Sequence, residues 1–243
     1  MINVLKHHPF PVIAQLDQIV AVSFAFPESV LRHWIPAGLE MDTYEGLGFI
    51  TAALVWTSAL RPAGFPQMLG QDFFLAGYRI FTRLRDDSGR RLRGLKIIRT
   101  ETDKRRMVFL GNLMTDYKYS HVNVKIETQG ASTHLETSLA SGASTLKLSF
   151  SEDSEEAGLP VGSPFPDWRT ARRFAGPMPF TFSPQADGSF VVIEGSRQAW
   201  LPKPLRIAEF QVSLLEEGSL RGVTPILANA FIVKDVAYHW EKG

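Results

Sequence analysis

Residues 92–127 read LRGLKIIRTETDKRRMVFLGNLMTDYKYSHVNVKIE, and the reading of this stretch decides the fold. Its period changes twice. From Leu92 to Thr102 the residues follow the two-residue repeat of a strand. Beyond Asp103, Met107, Leu110 and Met114 recur at helical spacing, which predicts a short helix whose DKRR start is solvated. Then DYKYS, residues 116–120, sets Lys118 between Tyr117 and Tyr119, and HVNVKIET opens a new alternation.

Working outward, DFFLAGYRIFTRLR (72–85), the turn DDSG and RRLRGLKIIRTETD (90–103) form a hairpin, while HVNVKIET (121–128), HLETSLAS (134–141) and STLKLSFS (144–151) form a meander. Upstream, DQIVAVSFAF (17–26) is a strand. FPESVLRHWIP (26–36) is a short helix burying Val30, Leu31 and Trp34. LEMDTYEGLGFITAALVWTSAL (39–60) reads as a second hairpin turning at Tyr44-Glu45-Gly46, and RPAGFPQMLGQ (61–71) as a lid or pocket wall. Downstream, PDWRTARRFA (166–175) is a small helix, and FVVIEGS, LRIAEFQVSLLEE and ANAFIVKDVAYHW continue the same sheet. The acidic SEDSEEAGLPVGSP (151–164) reads as a mobile linker. The expectation is one mainly β (α+β) domain over 1–243, with antiparallel sheet and short flanking helices.

Composition narrows the function. Of 243 residues 44% are hydrophobic, enough for a sizeable core, and 26 Lys plus Arg balance 25 Asp plus Glu. No overall field gathers nucleic acid or anionic membrane, so the expected partner is a small molecule or another copy of the chain. There is no cysteine, which removes thiolate chemistry and suits a reducing compartment; with no long apolar run, a soluble cytoplasmic protein is expected. The six histidines, at 7, 8, 33, 121, 134 and 239, lack metal-ligand spacing, and neither a phosphate-binding loop nor a G-x-S-x-G nucleophile elbow occurs. No metal or cofactor is expected.

Two constellations remain. Strict alternation in KIIRTETDK puts Arg99 and Glu101 on one face with Ile97. They form either an exposed ion pair or the wall of a barrel mouth, where Arg99 would hold a carboxylate and Glu101 move a proton. Lys118 is either a snorkelling surface lysine or a desolvated amine able to form a Schiff base with a ketone, assisted by a tyrosine hydroxyl. Consecutive residues of an extended segment face opposite ways, which limits how many of these three side chains share one pocket.

Three segments, ESVLRHWIPAGLEMDTYEGLGFI (28–50), the 92–127 stretch and QAWLPKPLRIAEFQV (198–212), resemble the acetoacetate decarboxylase-like superfamily and, within it, the bacterial family of domain of unknown function 2071. The resemblance implies an antiparallel cone-like β-barrel flanked by short helices, with a pocket inside. Decarboxylases of the superfamily pair two adjacent lysines, one forming the Schiff base and the other lowering its pKa. Here DYKYS places Tyr117 at the reactive position and Lys118 at its neighbour, and only one lysine is present. The resemblance thus implies a pocket for a small keto acid or a similar apolar or carboxylated metabolite, lined by Trp56, Phe49 and Tyr119. The alternative is a Schiff-base decarboxylase or dehydratase using Lys118, with Arg99 on the carboxylate and Glu101 or Tyr117 handling protons.

Overall fold

The computed structural model describes residues 10–86, 88–152, 158–176, 178–198 and 200–241. In chain order it contains β1 (Val12–Pro27), α1 (Glu28–Leu31), β2 (Leu39–Met41), β3 (Leu47–Pro62), β4 (Gln71–Arg85) and β5 (Arg91–Thr102). Then come α2 (Arg105–Met114), β6 (Tyr119–His121), β7 (Asn123–Gln129), β8 (Ser132–Ser138) and β9 (Ser144–Ser151). The last part holds α3 (Trp168–Phe174), β10 (Phe180–Pro184), β11 (Phe190–Arg197), β12 (Lys203–Pro204), β13 (Arg206–Val212) and β14 (Ile226–Trp240). Residues 153–157 of the acidic linker lie outside the described residues.

Strands β4, β3, β1, β14, β11, β10 and β5 pair in that order, and β5 pairs back onto β4, closing a cone-like barrel. Its ladders are antiparallel except β5 with β10. A second sheet, ordered β13-β9-β8-β7, is separate. It packs its Leu135, Leu148 and Phe150 against Val20, Val22, Leu54 and Ile80 on the outside of the barrel wall. The expectation of one continuous sheet is therefore corrected, since β13 joins the meander strand β9 rather than the barrel. Because the wall strands are covered on both faces, residues 19–26 of β1 and 48–55 of β3 are buried without alternation.

The first hairpin is also corrected. The chain turns at Tyr44–Leu47 as expected, with Glu45 and Gly46 at positive φ. Leu39–Met41, however, pairs with β4 instead of β3. The buried Asp42 draws it there, accepting from Arg83 Nε at 2.7 Å and from Arg93. The second hairpin forms as read, and the short helix exists as one α turn followed by a 3-10 turn, Arg32–Trp34. Among the described residues no helix is long and apolar enough to cross a membrane.

Candidate functional site

The barrel encloses a cavity of about 340 Å³. Its origin is visible in the register. Reading across β14, β1, β3 and β4, the inner face carries a polar row, Asn229-Ser23-Thr51-Arg79, with Ile97 beside it on β5. Ser23 and Thr51 share a hydrogen bond of 2.8 Å. The next row is Phe231-Ala21-Ala53-Gly77-Thr100. Three of its members have little or no side chain, so a hollow opens directly beside Arg79. Two mainly apolar rows follow, Val233-Ile19-Val55-Leu75 and Val236-Leu16-Thr57-Phe73, the second interrupted by Thr57. Below Arg79 the barrel is sealed by stacked rings, Phe49 on Phe81 at 5.9 Å and on Phe165 at 5.4 Å. At the other end the rim includes Arg61, Pro62 and Gln71, the ends of the 61–71 segment, whose Phe65, Met68 and Leu69 are exposed.

The remaining wall comes from α2 and the strands opposite. Met107, Leu110 and Met114, the helical stripe seen in the sequence, face the cavity. Gly111 lies between them because the Tyr119 ring occupies the space a Cβ would need, 2.4 Å away. Asn112 clasps the segment that follows, accepting from Tyr119 N and donating to Tyr119 O, both at 2.8 Å. On β11, Gly195 leaves room for the Tyr238 hydroxyl, which a Cβ would meet at 2.0 Å. Arg197 lies 5.2 Å over the Trp200 ring and 5.6 Å over that of Tyr238, and donates to the Met178 carbonyl at 2.9 Å.

The electrostatics of this cavity are one-sided. Arg79, Arg197 and Arg61 reach it, and among the described residues it has no acidic side chain. Arg79 Nε is buried with no hydrogen-bond partner among the described residues. Burial lowers its pKa to about 10; Arg197 pushes the same way, while the nearby phenols of Tyr238 and Tyr117 oppose the shift. Arg79 as a whole is half-buried and lines the cavity. The Trp200 indole N–H, in the same wall, is a second buried donor without a partner among the described residues. Burial also pushes the Tyr119 phenol up to about 12 and raises Tyr117 and Tyr238, so all three are neutral donors at physiological pH. Such an arrangement offers positive charge and hydrogen-bond donors to an anion inside an apolar enclosure.

Of the seven residues singled out in the sequence, two line this cavity: Tyr117 and Tyr119. Lys118 does not. It takes a left-handed conformation, φ 54°, which rolls it to the exposed side while both rings stay inside. Arg99 and Glu101 lie on the opposite face of β5. Tyr78 pairs with Arg99 but Arg79 pairs with Ile97, so an extra residue, Ile98, breaks the alternation and leaves Ile97 facing the cavity. Arg99 instead donates to Glu217 at 2.6 Å. Glu101 is buried against the second sheet, accepting from Thr145 at 3.0 Å and Tyr78 at 3.3 Å, and burial raises its pKa. Trp56 is on the outer face, edge-on to Phe74 at 5.3 Å. Phe49 forms the seal beneath the cavity. Arg79, Arg197, Trp200 and Tyr238 were missed. A signal for the first was present in LAGYRIF: Leu75, Gly77, Arg79 and Phe81 share one face, and an arginine on an otherwise apolar face of a central strand is rarely a solvated charge.

Comparison with known proteins fits this geometry. The family model for domain of unknown function 2071, an uncharacterized conserved protein, matches residues 14–233. No curated protein gives a sequence match. Among solved structures, acetoacetate decarboxylase from Legionella pneumophila superposes with a TM-score of 0.63 at 10% identity, over 96% of this chain and 86% of that one. The enduracididine biosynthesis enzyme MppR, complexed with pyruvate, superposes with 0.59 at 9% identity, over 96% and 88%. An acetoacetate decarboxylase-like enzyme from Sphingomonas wittichii gives 0.58 at 12% identity, over 96% and 91%. The shared fold is that of acetoacetate decarboxylase.

Proposed function

The chain belongs to the family of domain of unknown function 2071, and we propose that in this member the barrel cavity binds a small carboxylated metabolite with an apolar body. One observation carries the reading: the buried Nε of Arg79, in the cavity wall, has no hydrogen-bond partner and no carboxylate beside it among the described residues. An isolated buried charge is costly, and a ligand carboxylate is the group whose geometry matches a guanidinium fork. Tyr117, with Thr181 within hydrogen-bond reach, and the Trp200 indole supply further donors for orientation. The pyruvate carried by MppR supports a small-carboxylate class for this fold. The test is thermal denaturation of the full chain with matched carboxylates and carboxamides. Carboxylates are expected to raise the melting temperature and the isosteric amides to leave it unchanged; equal effects of both would remove the role of Arg79.

The Schiff-base alternative requires an amine that reaches the ligand. The cavity wall contains no lysine among the described residues, and Lys118 faces away from it. Borohydride treatment in the presence of pyruvate or acetoacetate, read by intact mass and peptide mapping, is expected to leave Lys118 unmodified. A stoichiometric reduced adduct at Lys118 would restore the lyase reading.

A further inference from the structure

The order of the rows inside the barrel says more about the ligand than its charge, and this step rests on the carboxylate reading above. The geometry points to a monocarboxylate with an unbranched apolar chain of medium length, inserted head first, as the ligand class. The polar row bearing Arg79 lies at the sealed end, above the ring stack of Phe49 and Phe81. The neighbouring row, through Ala21, Ala53 and Gly77, gives a carboxylate room beside the guanidinium. From there to Phe73 the wall is apolar but for Thr57, and the six residue steps from Arg79 to Phe73 cover about 20 Å along the strand. A head group at Arg79 leaves its substituent facing these rows on its way to the rim.

Size separates this class from a short keto acid. A cavity of about 340 Å³ has the volume of roughly eleven waters at about 30 Å³ each. A ligand of pyruvate's size would leave most of that volume to water against apolar walls. A chain fills it, and Met107 and Met114 of α2 adapt to an apolar surface without fixed shape. One carboxylate is placed at Arg79, because Arg197 is held by the Met178 carbonyl and two rings and Arg61 by the carbonyls of Ala59 and Phe65.

Calorimetric titration of the full chain with pyruvate and with straight-chain carboxylates from butanoate to dodecanoate tests this. Affinity is expected to rise about fourfold per methylene, then level off once the rows are filled. Val55→Phe, placed two rows from Arg79, is expected to weaken decanoate at least tenfold and to spare butanoate. If pyruvate or butanoate binds as tightly as decanoate, the chain-length inference is overturned and the carboxylate reading stands. If no carboxylate of any length binds, the carboxylate reading itself fails. If decanamide, titrated alongside, matches decanoate, the role of Arg79 and the head-first orientation that depends on it both fail.

Discussion

Arg79→Met is expected to abolish carboxylate binding and, at the same time, to make the ligand-free protein more stable. Both effects have one cause. In the free protein Arg79 is largely withdrawn from water and has no anionic partner among the described residues, and its lowered pKa follows from that burial. Replacing a buried charge with an apolar side chain of similar length relieves that cost; exchanging whole buried ion pairs for apolar residues is neutral or stabilises by about 1–4 kcal/mol, and removal of an unpaired charge acts in the same direction. In the complex the same residue is one half of a desolvated charge pair, and truncating one partner of such a pair costs about 2–5 kcal/mol of binding, or roughly 30- to several-thousand-fold in Kd. Opposite signs for stability and binding are the signature of a functional charge. A drop of several degrees in the melting temperature of the ligand-free variant would mean instead that Arg79 holds the barrel together.

Asp42→Asn is expected to destabilise the fold by about 3 kcal/mol, through breakage of a buried ion pair, without altering ligand selectivity. Asp42 is fully buried and serves two arginines, one from each arm of the β4–β5 hairpin. Arg93 also lies 4.5 Å over the Phe174 ring and donates to the Phe174 carbonyl at 2.6 Å, so the pair ties β2, β5 and the end of α3 together. The arginine side chains keep 37% and 32% exposure and can partly rehydrate, which sets the expectation at the lower end of the range for broken buried pairs. Urea unfolding with an unchanged slope and a lower midpoint would report the loss. A change below about 0.5 kcal/mol, the size expected of an ordinary surface substitution, would contradict it.

The legible part of the fold was the part governed by local pattern. The long β4–β5 hairpin declared itself through alternation around DDSG, and the Met107-Leu110-Met114 stripe announced a helix with one apolar face. The order of three segments pointed to the barrel. What the pattern hid were single-residue departures. The extra residue at Ile98 exchanges the faces of everything after it, so the alternation that put Arg99 and Glu101 beside Ile97 sent the proposed site to the wrong side of β5. At Lys118 a positive φ, unusual outside glycine, lets Tyr117 and Tyr119 point inward while the amine turns out. Long-range pairing was equally hidden. Leu39–Met41 follows the buried charge of Asp42 to β4, and β13 joins the second sheet, choices made by partners far away in sequence. Arg79 escaped notice because its meaning depends on Ser23 and Thr51, its neighbours in a row that spans separate strands.

The most direct test of the cavity as an anion site is a crystal structure of the full chain grown with decanoate. The carboxylate is expected within about 3 Å of the Arg79 guanidinium, with the chain lying along Ala53, Val55 and Leu75. An Arg79 satisfied by a carboxylate of the protein itself, with the interior filled by its own side chains and the decanoate elsewhere or absent, would contradict the account.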